Sequence, residues 1–251
     1  MSVILILGSG PNVLTCRDWK REPFDRIVAI NNAWSVRPDW DDLIHPEDFP
    51  ADRRPSDLAP HQRIVTATQY VPLQNTLGGF VYAGGTMAFT AAYWALAALK
   101  PSVIAMLGCD MVYSQKQNTH FYGTGTADPL RKDVTLRSLE AKSARLMALA
   151  ARQNCAMINL SQDESRLVFP RSRPETAHLA AVEPVDDETV RSALAREQQL
   201  GYYVPSGKYW QQEEKFDPQE VDGLDAMWLK TIRINGRADN SDVAQKKSGT
   251  I

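Results

Sequence analysis

Cysteine is scarce: Cys16, Cys109 and Cys155 are the only three, odd in number and far apart. That excludes a disulfide framework and the close ligand pairing of a structural zinc site. They read as reduced thiols, which places the chain in the cytoplasm. Long hydrophobic runs are lacking too. Met1-Ser2 leads directly into Val3-Ile4-Leu5-Ile6-Leu7 with no basic residue ahead of it, too short an apolar stretch for a signal peptide or a membrane span. An excess of one charge is also missing: 28 Lys and Arg oppose 30 Asp and Glu, a net charge of −2, so nothing electrostatic favours nucleic acid or an anionic membrane as partner. What is present is a 43% hydrophobic chain long enough to bury a sizeable core, and a small-molecule site is the natural place to look for function.

The apolar residues fall into short runs that end in polar residues or glycine. Val3 to Leu7 stops at Gly8-Ser9-Gly10-Pro11, Arg26 to Ile30 at Asn31-Asn32, and Ser102 to Leu107 at Gly108-Cys109-Asp110. Wholly apolar runs of this length are what strands buried on both faces of a parallel sheet require. Between them, Thr86 to Leu99 carries almost no charge and reads as a helix packed on the sheet, stopped near Pro101. Asp133 to Gln153 alternates leucines with Arg, Lys and Glu and reads as a surface amphipathic helix, followed by a strand from Cys155 to Leu160. Prolines at 46, 50, 55, 60 and 72 leave Asp41 to Gln74 room for short strands only, near Leu43-Ile44 and Ile64-Val65-Thr66. The expected fold is α/β: a Rossmann-like parallel sheet flanked by helices, residues 1–160, with right-handed crossovers. A small, mostly helical appendage spans 161–234, with one clear helix from Asp186 to Leu200 and with Trp210 and Trp228 in polar surroundings. Residues 235–251 are expected to be disordered or to serve an assembly contact, which leaves a homo-oligomer open.

In a parallel α/β sheet, ligands bind beyond the C-terminal strand ends. Gly8, Ser9, Gly10, Pro11 and Asn12 occupy such a place, where glycines allow backbone N–H groups to approach a phosphate; the alternative is a tight turn with no ligand. Val13 stands where a dinucleotide fingerprint needs a third glycine, Asn31-Asn32 where it needs an acid, and no Walker lysine is present. Both NAD and a P-loop are therefore disfavoured. Asn31 and Asn32 can donate and accept toward a ribose, base or sugar, or simply form a turn. Gly84-Gly85-Thr86 places free N–H groups and a hydroxyl cap at the same face of the sheet. Asp110 could cap a loop, bind a ribose hydroxyl or hold a metal. His120, in Asn118-Thr119-His120-Phe121-Tyr122-Gly123, is the candidate general base, and His45, beyond a short strand, could reach the same cleft. His61 and His178 read as surface residues. Asp39-Trp40-Asp41 has the spacing of a metal-bridging motif but follows Pro38 with no strong strand leading into it, and it is discounted. A valine at Gly10 is expected to abolish nucleotide binding while the fold survives.

Taken in order, these motifs resemble the bacterial sialyltransferases of glycosyltransferase family forty-two over roughly residues 1–160. That family has Gly-X-Gly-Pro-Ser after strand one, Asn after strand two, Ser-Gly before a buried helix, Gly-X-Asp after the next strand, and a later His. Here the matching residues are Gly8 to Asn12, Asn31 or Asn32, Gly85-Thr86, Gly108 to Asp110, and His120. Asn12 replaces the Ser, His45 stands where an Asn is usual, and the tyrosine after Gly-X-Asp comes one residue late as Tyr113. The resemblance implies an inverting transfer from a CMP-sugar to a hydroxyl acceptor, with neither metal nor cofactor. Gly8 to Asn12, Asn31 and Asn32 would hold the nucleotide, Tyr113 and Tyr122 would lie near it, and His120 would take the acceptor's proton. The same outline more distantly resembles archaeal 6-hydroxymethylpterin pyrophosphokinase-like proteins. Those would need ATP, Mg²⁺ and carboxylates, for which Glu47, Asp48, Asp110 and Asp128 are the candidates. A non-catalytic nucleotide-binding module of a phage or polysaccharide gene cluster is the third class.

Overall fold

The computed structural model describes residues 1–113, 118–123 and 131–232. Six parallel strands form one sheet: β1 (Val3–Leu7), β2 (Arg26–Ile30), β3 (Asp42–Ile44), β4 (Arg63–Val65), β5 (Val103–Leu107) and β6 (Ala156–Asn159), in the order β4-β3-β2-β1-β5-β6. The chain builds outward from β1 in one direction to β4 and then crosses to the other side for β5 and β6, so the order reverses between β1 and β5. At such a reversal the crossovers leave on opposite faces and a crevice opens beyond the strand ends. The registers β1–β2 and β1–β5 run Leu7↔Ala29 and Leu7↔Leu107, which brings the residues after all three strands to one edge. The α/β parallel sheet expected from the apolar runs is thus observed.

Alternate residues of the strands feed two cores. Ile4, Ile6, Val28, Ile30, Ile104 and Met106 pack against the helices α1 (Ala67–Thr76), α3 (Met87–Leu99) and α4 (Leu139–Ala151). Val3, Leu5, Leu7, Ile27, Val103 and Leu107 face the other way. That second face is covered by tight 3-10 turns at Pro11–Asp18, Asn31–Ser35 and Pro174–Leu179, which contribute Val13, Ala33 and Ala177.

Several local expectations change. Pro72 lies inside α1, which a capping box formed by Thr66 and Gln69 starts; the Pro-rich stretch thus carries a helix as well as β3 and β4. The helix α4 is not a surface helix. Its polar side is covered by α5 (Asp187–Leu200) and α6 (Pro218–Lys230), so that Lys142 and Arg145 are as buried as Leu146. Their charges are compensated in place. Lys142 Nζ is 2.7 Å from Asp225 Oδ1. Arg145 donates to Glu197 at 2.7 and 2.8 Å and to the Tyr93 hydroxyl at 2.7 Å, while the Trp228 indole donates to Glu197 Oε1 at 2.9 Å. Burial of a guanidinium demands this degree of pairing. No helix among the described residues is long and apolar enough to cross a membrane.

Candidate functional site

The reversal between β1 and β5 holds a cavity of about 590 Å³. Of the residues singled out in the sequence, Gly8, Ser9, Gly10, Pro11 and Asn12 line it from β1, Asn31 from β2, and Asp110 and Tyr113 from β5. Thr86 lines it from the start of α3, and His120 and Tyr122 from the loop. Asn32 and His45 are not among its lining residues. His45 is buried at the end of β3, with Nδ1 2.8 Å from the Pro46 carbonyl oxygen and its ring 5.1 Å from that of Phe49. The Asp128 carboxylate and the tail beyond 232 lie outside the described residues.

The N–H groups of both glycines in the first turn are taken up by the backbone around β5. Gly8 N–H donates to Leu107 O and Gly10 N–H to Gly108 O, both at 2.8 Å. A Cβ on Gly8 would overlap the Gly108 carbonyl, and one on Gly10 would lie 2.9 Å from the same oxygen. The expectation that Gly10→Val spares the fold is therefore corrected: valine there collides with the backbone that follows β5. Gly85 changes in the same way. Its N–H, read as open to a ligand, donates to Thr135 Oγ1 at 2.9 Å, while the Thr86 hydroxyl caps α3 by accepting from Phe89 N–H.

What the cavity offers instead is unpaired side-chain oxygen. Ser9 Oγ, Asn12 Oδ1 and Asn31 Oδ1 are buried and have no hydrogen-bond partner among the described residues. An unsatisfied buried polar atom costs about 1–3 kcal/mol, and three of them belong to residues that line this one cavity. Backbone strain gathers there as well. Asn31 and Met111, both lining residues, have φ of 52° and 55°, a left-handed conformation that costs non-glycine residues energy and concentrates at functional sites.

Asp110 holds the floor together. Asn12 Nδ2 lies 2.7 Å from Asp110 Oδ2, 2.8 Å from Ser161 Oγ and 2.9 Å from Asp163 Oδ2, and Asn159 Nδ2 lies 3.1 Å from Asp110 Oδ1. One carboxylate thus ties together the ends of β1, β5 and β6. Asp163 and Glu164 also line the cavity, although the sequence alone ended the Rossmann-like domain at residue 160 and assigned both to the appendage. Their signal was the polar run Ser161-Gln162-Asp163-Glu164 after a strand, the same signal that marked Asn31. Burial pushes the Cys109 thiol well up, so it is no thiolate nucleophile. The discounted Asp39 and Asp41 are held by arginines, Asp39 by Arg37 at 2.6 Å and Asp41 by Arg21 at 2.6 Å.

His120 reaches this cavity because Phe121 N–H donates to Ser9 O at 3.0 Å, fastening the loop to the first turn. Its ring stacks on Tyr122 with centroids 5.0 Å apart, and Nδ1 lies 2.9 Å from Thr119 Oγ1. A second cavity of about 620 Å³ adjoins the first, and Pro46, Thr86 and Met87 line both. Gly85 opens into this second space. No family model, curated protein or solved structure matches the chain.

Proposed function

We propose that the protein is a metal-independent glycosyltransferase of the cytoplasm that uses a CMP-sugar type donor. The observation that carries this reading is the set of unpaired oxygens of Ser9, Asn12 and Asn31 in one cavity. The two carboxamide oxygens, which only accept, suit ribose hydroxyls and a cytosine amino group, and the Ser9 hydroxyl, which can donate as well as accept, suits either these or the single phosphate of the donor. The carboxylates of Asp110, Asp163 and Glu164 at the same cavity oppose a triphosphate more strongly than a donor with a single phosphodiester. The ordered resemblance over the first 160 residues points the same way, and the buried free thiols of Cys16, Cys109 and Cys155 suit a reducing compartment.

In this reading the acceptor oxygen attacks the anomeric carbon as the bond to the CMP phosphate breaks. The configuration inverts, CMP leaves as the anion, and the acceptor proton passes to His120. Nδ1 lies 2.9 Å from Thr119 Oγ1; in the tautomer with the proton on Nδ1, Nε2 is the atom that takes the acceptor's proton. The pyrophosphokinase-like alternative gains less support. Glu47 and Asp48 line the second cavity and Asp110 the first, and no group of three or more metal-ligating side chains converges among the described residues.

Calorimetry with cytidine, CMP, UDP and ATP, each with and without Mg²⁺, tests the reading. Cytidine and CMP should bind with or without the ion, and a ligand at a hundred times its Kd should raise stability by about 2.7 kcal/mol. Mg²⁺-dependent binding of ATP with none of CMP would favour the pyrophosphokinase, and binding of none of the four would favour a module without this chemistry.

A further inference from the structure

The second cavity is lined by none of Ser9, Asn12 and Asn31, yet it draws on several elements of the fold. Its walls come from α1, α2 (Phe80–Ala83), the start of α3, the loop after β3 and the segment Ser206 to Glu213 that follows α5. Tyr209 anchors that segment. Its hydroxyl donates to Asp133 Oδ2 at 2.7 Å and accepts from Arg131 at 2.9 Å. Farther along, Lys208 Nζ reaches Glu47 Oε2 at 3.3 Å and joins the segment to the loop after β3.

The lining is chemically mixed. Tyr70 and Phe80 meet edge to face at 6.5 Å, and Tyr209 and Trp210 do so at 5.5 Å. Charges of both signs stand among these rings, Arg131, Lys132 and Lys208 against Glu47, Asp48, Asp133 and Glu213. Such a surface offers no net attraction to a polyanion or a polycation. It suits a neutral, polyhydroxylated molecule, whose hydroxyls donate to carboxylates and accept from ammonium groups while its C–H faces lie on aromatic rings. Trp210 is the decisive residue. At 57% exposed it is a large apolar platform kept open to solvent beside these charges, whereas Trp228, the other tryptophan in polar sequence, is buried at 1%.

We propose that this cavity is the acceptor site and that it takes a neutral glycan, with one pyranose ring lying on the Trp210 indole. This rests on the glycosyltransferase reading for its role, since Pro46, Thr86 and Met87 form the partition across which donor and acceptor would meet. The site itself rests on the second cavity alone.

Saturation-transfer NMR on the full chain, with methyl β-galactopyranoside, methyl β-glucopyranoside and lactose as probes, tests it alongside calorimetry with CMP. At least one saccharide should take up saturation on its ring C–H protons. Trp210→Ala should weaken its binding at least about tenfold and Trp210→Phe by less, with CMP affinity unchanged within about twofold. Asn31→Gly should do the reverse. Absence of saccharide binding by the unsubstituted chain, or binding that Trp210→Ala leaves unchanged, overturns the inference. If CMP, UDP and ATP all fail to bind while saccharide binding depends on Trp210, the donor reading falls and the glycan site stands.

Discussion

A Cβ on Gly85 would overlap the hydroxyl oxygen of Tyr209. The glycine before α3 is therefore matched to a tyrosine 124 positions later, and that match brings the segment after α5 against the strand ends. Gly85→Ala is expected to destabilise the chain by about 1–3 kcal/mol, the usual cost of overpacking. Tyr209→Phe in the same chain should restore part of this, because it removes the colliding atom. Urea denaturation of the two single variants and the double variant gives the coupling, and strictly additive effects would mean that the two residues do not meet.

The same tyrosine sets a pH dependence. Burial pushes the Asp133 carboxyl up, but hydrogen bonds from Tyr209, Thr135 and Arg131 outweigh it and hold it below the ordinary value of 3.8. The folded chain then binds this proton less tightly than the unfolded one. The stabilisation is complete above about pH 3.8 and is lost as the pH falls through the lower folded value. Asp133→Asn removes the effect, so the advantage of the original chain over the variant should shrink as urea midpoints are followed from about pH 5 to about pH 3. A constant difference over that interval would assign the stabilisation to another group.

Much of the sheet was legible because strands buried on both faces must be wholly apolar and must end where the chain leaves the core. Val3–Leu7 ending on Gly8 is such a case, and so is Val103–Leu107 ending on Gly108. The environment of α4 was not legible. Lys142 and Arg145 look like solvent-facing residues in sequence, and only the folded chain places Asp225 and Glu197 against them. Gly8, Gly10 and Gly85 show the same limit. A glycine that admits a ligand and one that admits a neighbouring backbone or side chain are identical in sequence. The asparagines and Ser9 were legible as polar residues at strand ends, but that their oxygens are left unpaired is a property of packing.

Glu197 gives the test of the α4 interface. It neutralises a fully buried guanidinium that also stacks over Trp228 at 5.5 Å. Glu197→Gln leaves Arg145 charged and unmatched, at an expected cost of about 3–5 kcal/mol. Replacing the pair together, with Arg145→Met and Glu197→Leu, should recover most of that, since apolar residues need no counter-charge. Chemical denaturation checks both, and a double variant no better than Glu197→Gln would show that the remaining polar partners, Tyr93 and Leu77 O, matter as much as the ion pair.

Asn31 separates binding from folding. Because its φ is 52°, glycine can take its place without strain, while alanine cannot. Asn31→Gly should keep the thermal midpoint within a few degrees and weaken CMP binding by roughly threefold to tenfold, the worth of one hydrogen bond. Asn31→Ala should lose the same affinity and about 1 kcal/mol of stability as well. Unchanged CMP affinity in the glycine variant would remove the carboxamide from the site.

His120 carries the chemistry of the proposed transfer, and His45 is its internal control. Both are histidines beyond strand ends, but His120 lines the cavity between β1 and β5, whereas His45 is buried against Phe49 beside Pro46. A positioned base contributes about 10²–10⁴-fold, so His120→Ala should lower kcat by that order while CMP binds as before. Thr119→Val should cause a smaller fall, because the ring loses the hydroxyl that lies 2.9 Å from Nδ1 and orients it. His45→Ala should cost stability through the space it leaves and should spare kcat. Steady-state kinetics with the donor found by calorimetry decide the matter. Activity that survives His120→Ala and is abolished by His45→Ala would move the base to the end of β3, and activity that survives both would leave proton removal to solvent or to a carboxylate such as Glu164.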